Sequence, residues 1–119
     1  MPAAWQSYRG APEEGTTLCA AADIPDPGTL GLDVAGFPVL LVRTDGVVRA
    51  FVNACPHQYL PLDHKGDRLI SADATIIRCT NHSAGYRIED GVGVEGLGLG
   101  CALDVIPVRV NAEGVVVIG

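Results

Sequence analysis

The sequence predicts an all-β fold, and three observations support that prediction. Fifteen glycines and eight prolines among 119 residues indicate many turns, which favours short strands over long helices. Short β-branched and apolar runs recur along the chain, whereas no segment sustains the 3.6-residue apolar period of an amphipathic helix. Turn residues separate several of these runs, as they do in hairpins. With a hydrophobic fraction of 48%, the chain is expected to form one domain, residues 1–119.

Four strands are expected in the first half of the chain. The strongest local signal is Asp45-Gly46 between two β-branched runs, because such a pair forms a two-residue hairpin turn in which glycine supplies a positive φ. The segment "DIPDPG" at 23–28 is expected to be a loop. The predicted strands are Thr16–Ala22, Leu30–Val34, Phe37–Thr44 and Val47–Val52.

The second half is expected to form further hairpins. Leu69-Ile70 and Thr75–Arg78 read as the two arms of a small hairpin, and Tyr86–Ile88 as a short strand. The glycine-rich segment 91–100, "GVGVEGLGLG", is predicted to be a loop. Val105–Val110 and Val115–Ile118 are predicted to form a last hairpin across "NAEG".

The charge of the chain argues against two classes of partner. A net charge of −6 argues against nucleic acid and against an anionic membrane surface, since both attract clusters of Lys and Arg. It suits a protein partner with a basic docking patch, although solubility alone would also explain it. Residues 1–15 lack the pattern of a signal peptide, and no run of about 18 apolar residues occurs. The expected location is therefore cytoplasmic, with no membrane.

Two cysteine–histidine pairs carry the chemistry that the sequence indicates. Cys55-Pro56-His57 and Cys79-Thr80-Asn81-His82 each follow a predicted strand. Two thiolates and two imidazoles suit either zinc or an iron–sulfur cluster. Zinc sites usually pair cysteine with cysteine, whereas each loop here supplies one of each; loops facing each other would give the mixed ligation of a Rieske centre. The other two cysteines, Cys19 and Cys101, are interpreted as packing or incidental residues.

The sequence resembles Rieske-type [2Fe–2S] ferredoxins. The segments that carry the resemblance are "CPHQYLPLD" at 55–63 and "CTNHSAGYRIEDG" at 79–91, and the likeness extends from about Thr16 to Ile118. It implies three stacked antiparallel sheets with a cluster-binding tip, and a cluster-binding part at about residues 53–91. It also implies that one [2Fe–2S] cluster is bound by Cys55, His57, Cys79 and His82.

The resemblance implies a function as well. Such a protein is a one-electron carrier, not an enzyme, which takes electrons from a flavoprotein reductase and passes them to a terminal oxygenase of an aromatic-ring-hydroxylating system. No nicotinamide- or flavin-binding motif is present, so the donor is expected to be another protein. The alternatives are a small Rieske subunit of a larger redox enzyme such as nitrite reductase and, less favoured, a structural zinc module.

The sequence departs from the family pattern around the cluster. Tyr59 and Ser83 occupy positions that are usually glycine, and Tyr86 occupies one that is often phenylalanine in ferredoxin-like members. These three residues are candidates for the shell around the ligands. Two interpretations of Tyr86 stay open: its ring packs under the loop, or its hydroxyl donates to a cysteine sulfur and raises the reduction potential.

Overall fold

A computed structural model describes residues 12–54, 69–71, 73–79, 84–96 and 99–119, and all structural statements below concern that part of the chain. A 3₁₀ turn, Ala21–Asp23, follows the first strand. The strands are β1 (Thr17–Ala20), β2 (Gly28–Val34), β3 (Phe37–Thr44), β4 (Val47–Val52), β5 (Ile76–Arg78), β6 (Gly85–Arg87), β7 (Gly93–Glu95), β8 (Val105–Ile106), β9 (Val108–Val110) and β10 (Val115–Ile118).

These strands form three antiparallel sheets. The first sheet has the order β1-β10-β9, the middle sheet β2-β3-β4-β8, and the third sheet β5-β6-β7. The third sheet gains one more bridge at its edge, where Ile70 pairs with Ile77. The three-sheet architecture that the resemblance implied is therefore confirmed, as is the small hairpin whose arms meet at this bridge.

The hairpin between β3 and β4 forms at the predicted turn. Asp45 and Gly46 both have positive φ, 50° and 77°, which matches the twist of a two-residue hairpin turn. The carboxylate of Asp26 accepts a hydrogen bond from the Gly46 amide at 2.9 Å, which ties this turn to the loop before β2. Val47–Val52 then leads the chain toward the first predicted ligand pair.

The middle sheet is buried on both faces, which explains why β3 reads as a continuous apolar run. One face packs on the first sheet, and its core cluster includes Val39, Leu41, Ala50, Val52, Val116 and Ile118. The opposite face packs on the third sheet, and its core cluster includes Leu40, Val42, Phe51, Ile77, Tyr86 and Ile88. Successive residues of β3 alternate between these two cores because side chains alternate across a strand.

The prediction of a loop across residues 91–100 is wrong in part. Gly93–Glu95 form strand β7, which pairs with β6 through Gly85↔Glu95 and Tyr86↔Gly93. The Gly93 amide also donates to the carbonyl of Cys101 at 2.9 Å. Pairing on both sides thus fixes a segment whose glycine content alone favours a turn.

Two predicted strands are shorter or divided in the structure. The first was expected to reach residue 22, but it ends at Ala20 where the 3₁₀ turn begins. The expected arm from 105 to 110 is divided at Pro107, which has no amide hydrogen to continue a ladder. β8 pairs with β4 of the middle sheet, whereas β9 pairs with β10 of the first sheet. Pro107 therefore marks where the chain passes from one sheet to the next.

Among the described residues, no helix has the length and apolar character needed to cross a membrane.

Candidate metal centre

The second predicted ligand pair begins at the end of β5. Cys79 follows Arg78 directly and is only 4% exposed. Its amide donates to the carbonyl of Ala84 at 2.9 Å, one residue beyond the Arg78↔Gly85 pair of the ladder. The two ends of the ligand loop are therefore held against each other. The residues between them, 80–83, include the predicted ligand His82 and the candidate Ser83, and they lie outside the described residues.

The first predicted ligand pair follows β4. The chain is held up to Ala54 by backbone hydrogen bonds, among them Asn53 N to Pro38 O at 3.1 Å and Ala54 N to Val52 O at 2.8 Å. Cys55, His57 and Tyr59 lie outside the described residues, as does the rest of 55–68. Within the described ranges, Cys79 is thus the one member of the predicted ligand set, and no three His, Cys, Asp or Glu side chains there form a metal site.

The residue before Cys79 is also paired with the chain at Leu69. The carbonyl of Leu69, which lies twelve residues after His57, accepts a hydrogen bond from the Arg78 amide at 2.7 Å. Arg78 immediately precedes Cys79. The residue that leads into the second ligand pair is therefore paired with the stretch of chain that begins at Leu69.

An apolar core surrounds Cys79. Cys79 belongs to the same buried cluster as Leu69, Ile77, Ala84 and Tyr86. Such a surrounding excludes water from a metal centre, and solvent access is one of the factors that set its reduction potential. The donor set of two cysteines and two histidines, with the described cysteine anchored and buried, fits the ligation of a Rieske cluster.

Tyr86 is a core residue. It is fully buried, and in the ladder it lies opposite Ile77 on one side and Gly93 on the other. Its ring therefore packs between the third and middle sheets, in the core that contains Cys79. A hydrogen bond from its hydroxyl to a cysteine sulfur stays a prediction.

Two exposed ion pairs lie on the outward face of the third sheet. Arg78 bonds Glu95 through two hydrogen bonds, of 2.9 and 3.2 Å, and Arg87 bonds both carboxylate oxygens of Asp90. The hydrogen bonds from these arginines lower the pKa of Glu95 and of Asp90. The Arg78–Glu95 pair adjoins Cys79, and no motif in the sequence indicated it.

The remaining cysteines pack against the two cores. Cys19 is partly buried against the core between the first and middle sheets, and burial, with a smaller contribution from Asp23, raises the pKa of its thiol. Cys101 packs against the core that contains Cys79. No disulfide links the three described cysteines. These positions agree with the interpretation of Cys19 and Cys101 as packing residues.

Comparison with known proteins identifies the family. The model of the Rieske [2Fe–2S] domain matches residues 15–98, which is more than half of the chain and includes both motifs. No curated protein matches the chain.

Solved structures show the same fold. The ferredoxin of carbazole 1,9a-dioxygenase from Nocardioides aromaticivorans IC177 superposes with a TM-score of 0.75 at 19% identity, over 90% of this chain and 98% of that one. A chain from the complex of reduced oxygenase and oxidized ferredoxin in carbazole 1,9a-dioxygenase gives 0.74 at 22% identity, over 91% and 95%. The terminal oxygenase from Novosphingobium sp. KA1 gives 0.75 at 27% identity, over 88% of this chain but 29% of that one.

The fold, the anchored Cys79 and the match through both motifs agree with one another. The chain belongs to the Rieske [2Fe–2S] domain family, whose cofactor is one [2Fe–2S] cluster bound by cysteine and histidine.

Proposed function

We propose that this protein is a one-electron carrier that takes electrons from a flavoprotein reductase and passes them to a terminal oxygenase. The observation that supports this most directly is the likeness to the ferredoxin of carbazole 1,9a-dioxygenase, which covers 98% of that chain. The likeness to a terminal oxygenase covers only 29% of the oxygenase, so the oxygenase's own activity is not part of the proposal.

The proposed ligands are Cys55 and Cys79 for one iron and His57 and His82 for the other. When bound, such a cluster supplies reversible one-electron chemistry at potentials of about −150 to +300 mV. The described residues around Cys79 support that chemistry in two ways. The Cys79–Ala84 hydrogen bond holds the ends of one loop, and the core around Tyr86 keeps water from the side of the buried cysteine.

Charge supports a protein acceptor. With a net charge of −6, the chain would be steered toward a basic docking patch, so the association rate with the acceptor should fall as salt is added. A cytoplasmic location is also part of this proposal, and cell fractionation tests it.

The first experiment establishes the cofactor and its electron count. Purified protein should be red-brown, contain two irons and two sulfides per chain, and bleach reversibly with dithionite in a one-electron redox titration. A colourless protein that holds one zinc ion would contradict the proposal, as would a cluster that does not reoxidise.

The second experiment tests the acceptor. Reduced protein is mixed in a stopped-flow apparatus with the oxidised terminal oxygenase of carbazole 1,9a-dioxygenase, and cluster absorbance reports its reoxidation. We expect reoxidation whose rate rises with oxygenase concentration and falls with added salt. Bovine serum albumin in place of the oxygenase is the control. Equal rates with both proteins would contradict an acceptor of this class.

A further inference from the structure

The ion pair next to Cys79 crosses the third sheet. Arg78 lies on β5 and Glu95 on β7, with β6 between them. In the ladder, both residues pair with the same residue of β6, Gly85. The two hydrogen bonds between Arg78 and Glu95 therefore pass over Gly85 and join the outer strands directly.

Gly85 provides the space for this crossing. A Cβ atom at Gly85 would overlap the Glu95 Oε1 and would lie 2.9 Å from the Glu95 Cβ and 3.1 Å from its Cδ. The backbone of Gly85 is not among those with positive φ, so an alanine could adopt its conformation. The absence of a side chain is thus required by the Glu95 side chain above it and not by the strand itself.

These three residues lie at the two ends of the second ligand loop and on the strand beside it. Arg78 directly precedes Cys79, and Gly85 directly follows Ala84, the residue that closes the loop by its hydrogen bond to Cys79. We propose that Arg78, Gly85 and Glu95 form a brace that positions the Cys79 ligand and its loop by locking the end of β5 to β6 and β7. The proposal rests on the family's cofactor and not on the identity of the electron acceptor.

Among the described residues, Asp73 is the nearby carboxylate that could compete with Glu95 for Arg78. Asp73 lies near the brace and lines the same surface cavity of about 400 Å³ as Arg78 and Glu95. However, its Oδ1 already accepts hydrogen bonds from the Ser71 hydroxyl at 2.6 Å and from the hydroxyl and amide of Thr75 at 2.7 and 3.2 Å. These hydrogen bonds hold Asp73 within its own turn, whereas Glu95 forms the two hydrogen bonds to Arg78.

The test compares Glu95→Gln with a matched control, Asp90→Asn, in the cluster-containing protein. Both variants neutralise one carboxylate of an exposed ion pair at the third sheet. The two pairs are similarly exposed: the side chains of Arg78 and Glu95 are 53% and 39% exposed, and those of Arg87 and Asp90 are 47% and 40% exposed. Only the first pair adjoins Cys79. Cluster loss into a ferrous-iron chelator and the EPR spectrum of the reduced cluster are measured.

We expect Glu95→Gln to speed cluster loss about threefold and to broaden the EPR lines, whereas Asp90→Asn should stay within about 1.5-fold of the unmodified protein. Gly85→Ala should match or exceed Glu95→Gln, because the new methyl group displaces the Glu95 carboxylate. Equal rates for Glu95→Gln and Asp90→Asn would overturn the proposal. So would a Gly85→Ala protein that keeps its cluster as well as the unmodified one.

Charge reversal separates positioning from a simple field effect. Arg78→Glu and Glu95→Arg should each speed cluster loss, and the double variant with both changes should recover most of the loss because the pair is rebuilt. A field effect alone would shift the reduction potential in opposite directions in the two single variants and leave cluster loss unchanged. That pattern would also overturn the proposal.

Discussion

Replacing Ile77 by alanine tests whether the core behind the ligand loop supports it. Ile77 is fully buried in the cluster that joins the third sheet to the middle sheet. The change removes three carbon atoms, which costs roughly 2.4 kcal/mol at about 0.8 kcal/mol each, and the remaining cavity adds to this. We therefore expect a loss of about 3 kcal/mol. For 119 residues, an unfolding entropy of about 0.25 kcal/mol/K converts that loss to a fall in Tm of about 12 °C.

The neighbouring residue supplies the control. Ile76 lies on the same strand but is only partly buried, and Ile76→Ala should lower the Tm by roughly 4 °C or less. Thermal unfolding of the cluster-containing proteins is followed by circular dichroism for the strands and by visible absorbance for the cluster. Equal falls in Tm for the two variants would refute the reasoning, because the buried Ile77 would then stabilise the fold no more than the partly exposed Ile76 does.

Three further predictions concern other parts of the described chain. Gly28→Ala should lower stability by about 1–3 kcal/mol in urea unfolding, because its Cβ would overlap the Pro25 Cβ and lie 2.9 Å from the Pro25 carbonyl oxygen; an unchanged midpoint would contradict this. Tyr86→Phe should lower the midpoint potential in protein-film voltammetry, and an unshifted potential would exclude a hydrogen bond from the hydroxyl to the cluster. The hydrogen bond from the Ser71 hydroxyl lowers the pKa of Asp73 below its ordinary value of 3.8. The ionised Asp73 therefore stabilises the folded protein above pH 3.8, and this stabilisation is lost as the pH falls through the lowered pKa of Asp73 in the folded state. Asp73→Asn should flatten the acid limb of the stability profile below about pH 4, and an unaltered limb would contradict the assignment.

The sequence predicted the central hairpin well because the local signals agreed there. The two-residue turn requires positive φ, which Asp45 and Gly46 adopt. The flanking runs are apolar and β-branched, so the turn and the two strands favour the same β3–β4 register. The two motifs also indicated the ligand set, since a cysteine and a histidine in each of two loops is a specific pattern. For the described Cys79, the structure adds its burial and the hydrogen bond that closes its loop.

Other features depend on partners that are distant in sequence. β7 forms in a glycine-rich segment because β6 and the region of Cys101 both pair with it, and neither contact is visible locally. Pro107 divides an apparently continuous strand because its two halves find partners in different sheets. Likewise, the need for glycine at position 85 comes from the carboxylate of Glu95 on the next strand.

The hydrogen bond from Arg78 to Leu69 has a consequence for how the spacing between the two motifs can vary. Leu69–Ser71 is fastened to β5, with Ile70 bridging Ile77 and the Ser71 amide bound to the carbonyl of Ile76. Residues added or removed before Leu69 would therefore leave the pairing of Leu69–Ser71 with β5 unchanged, and Cys79 would keep its position. In engineering terms, the spacing of the two motifs is best varied before Leu69, because the pairing of Leu69–Ser71 with β5 separates Cys79 from such a change.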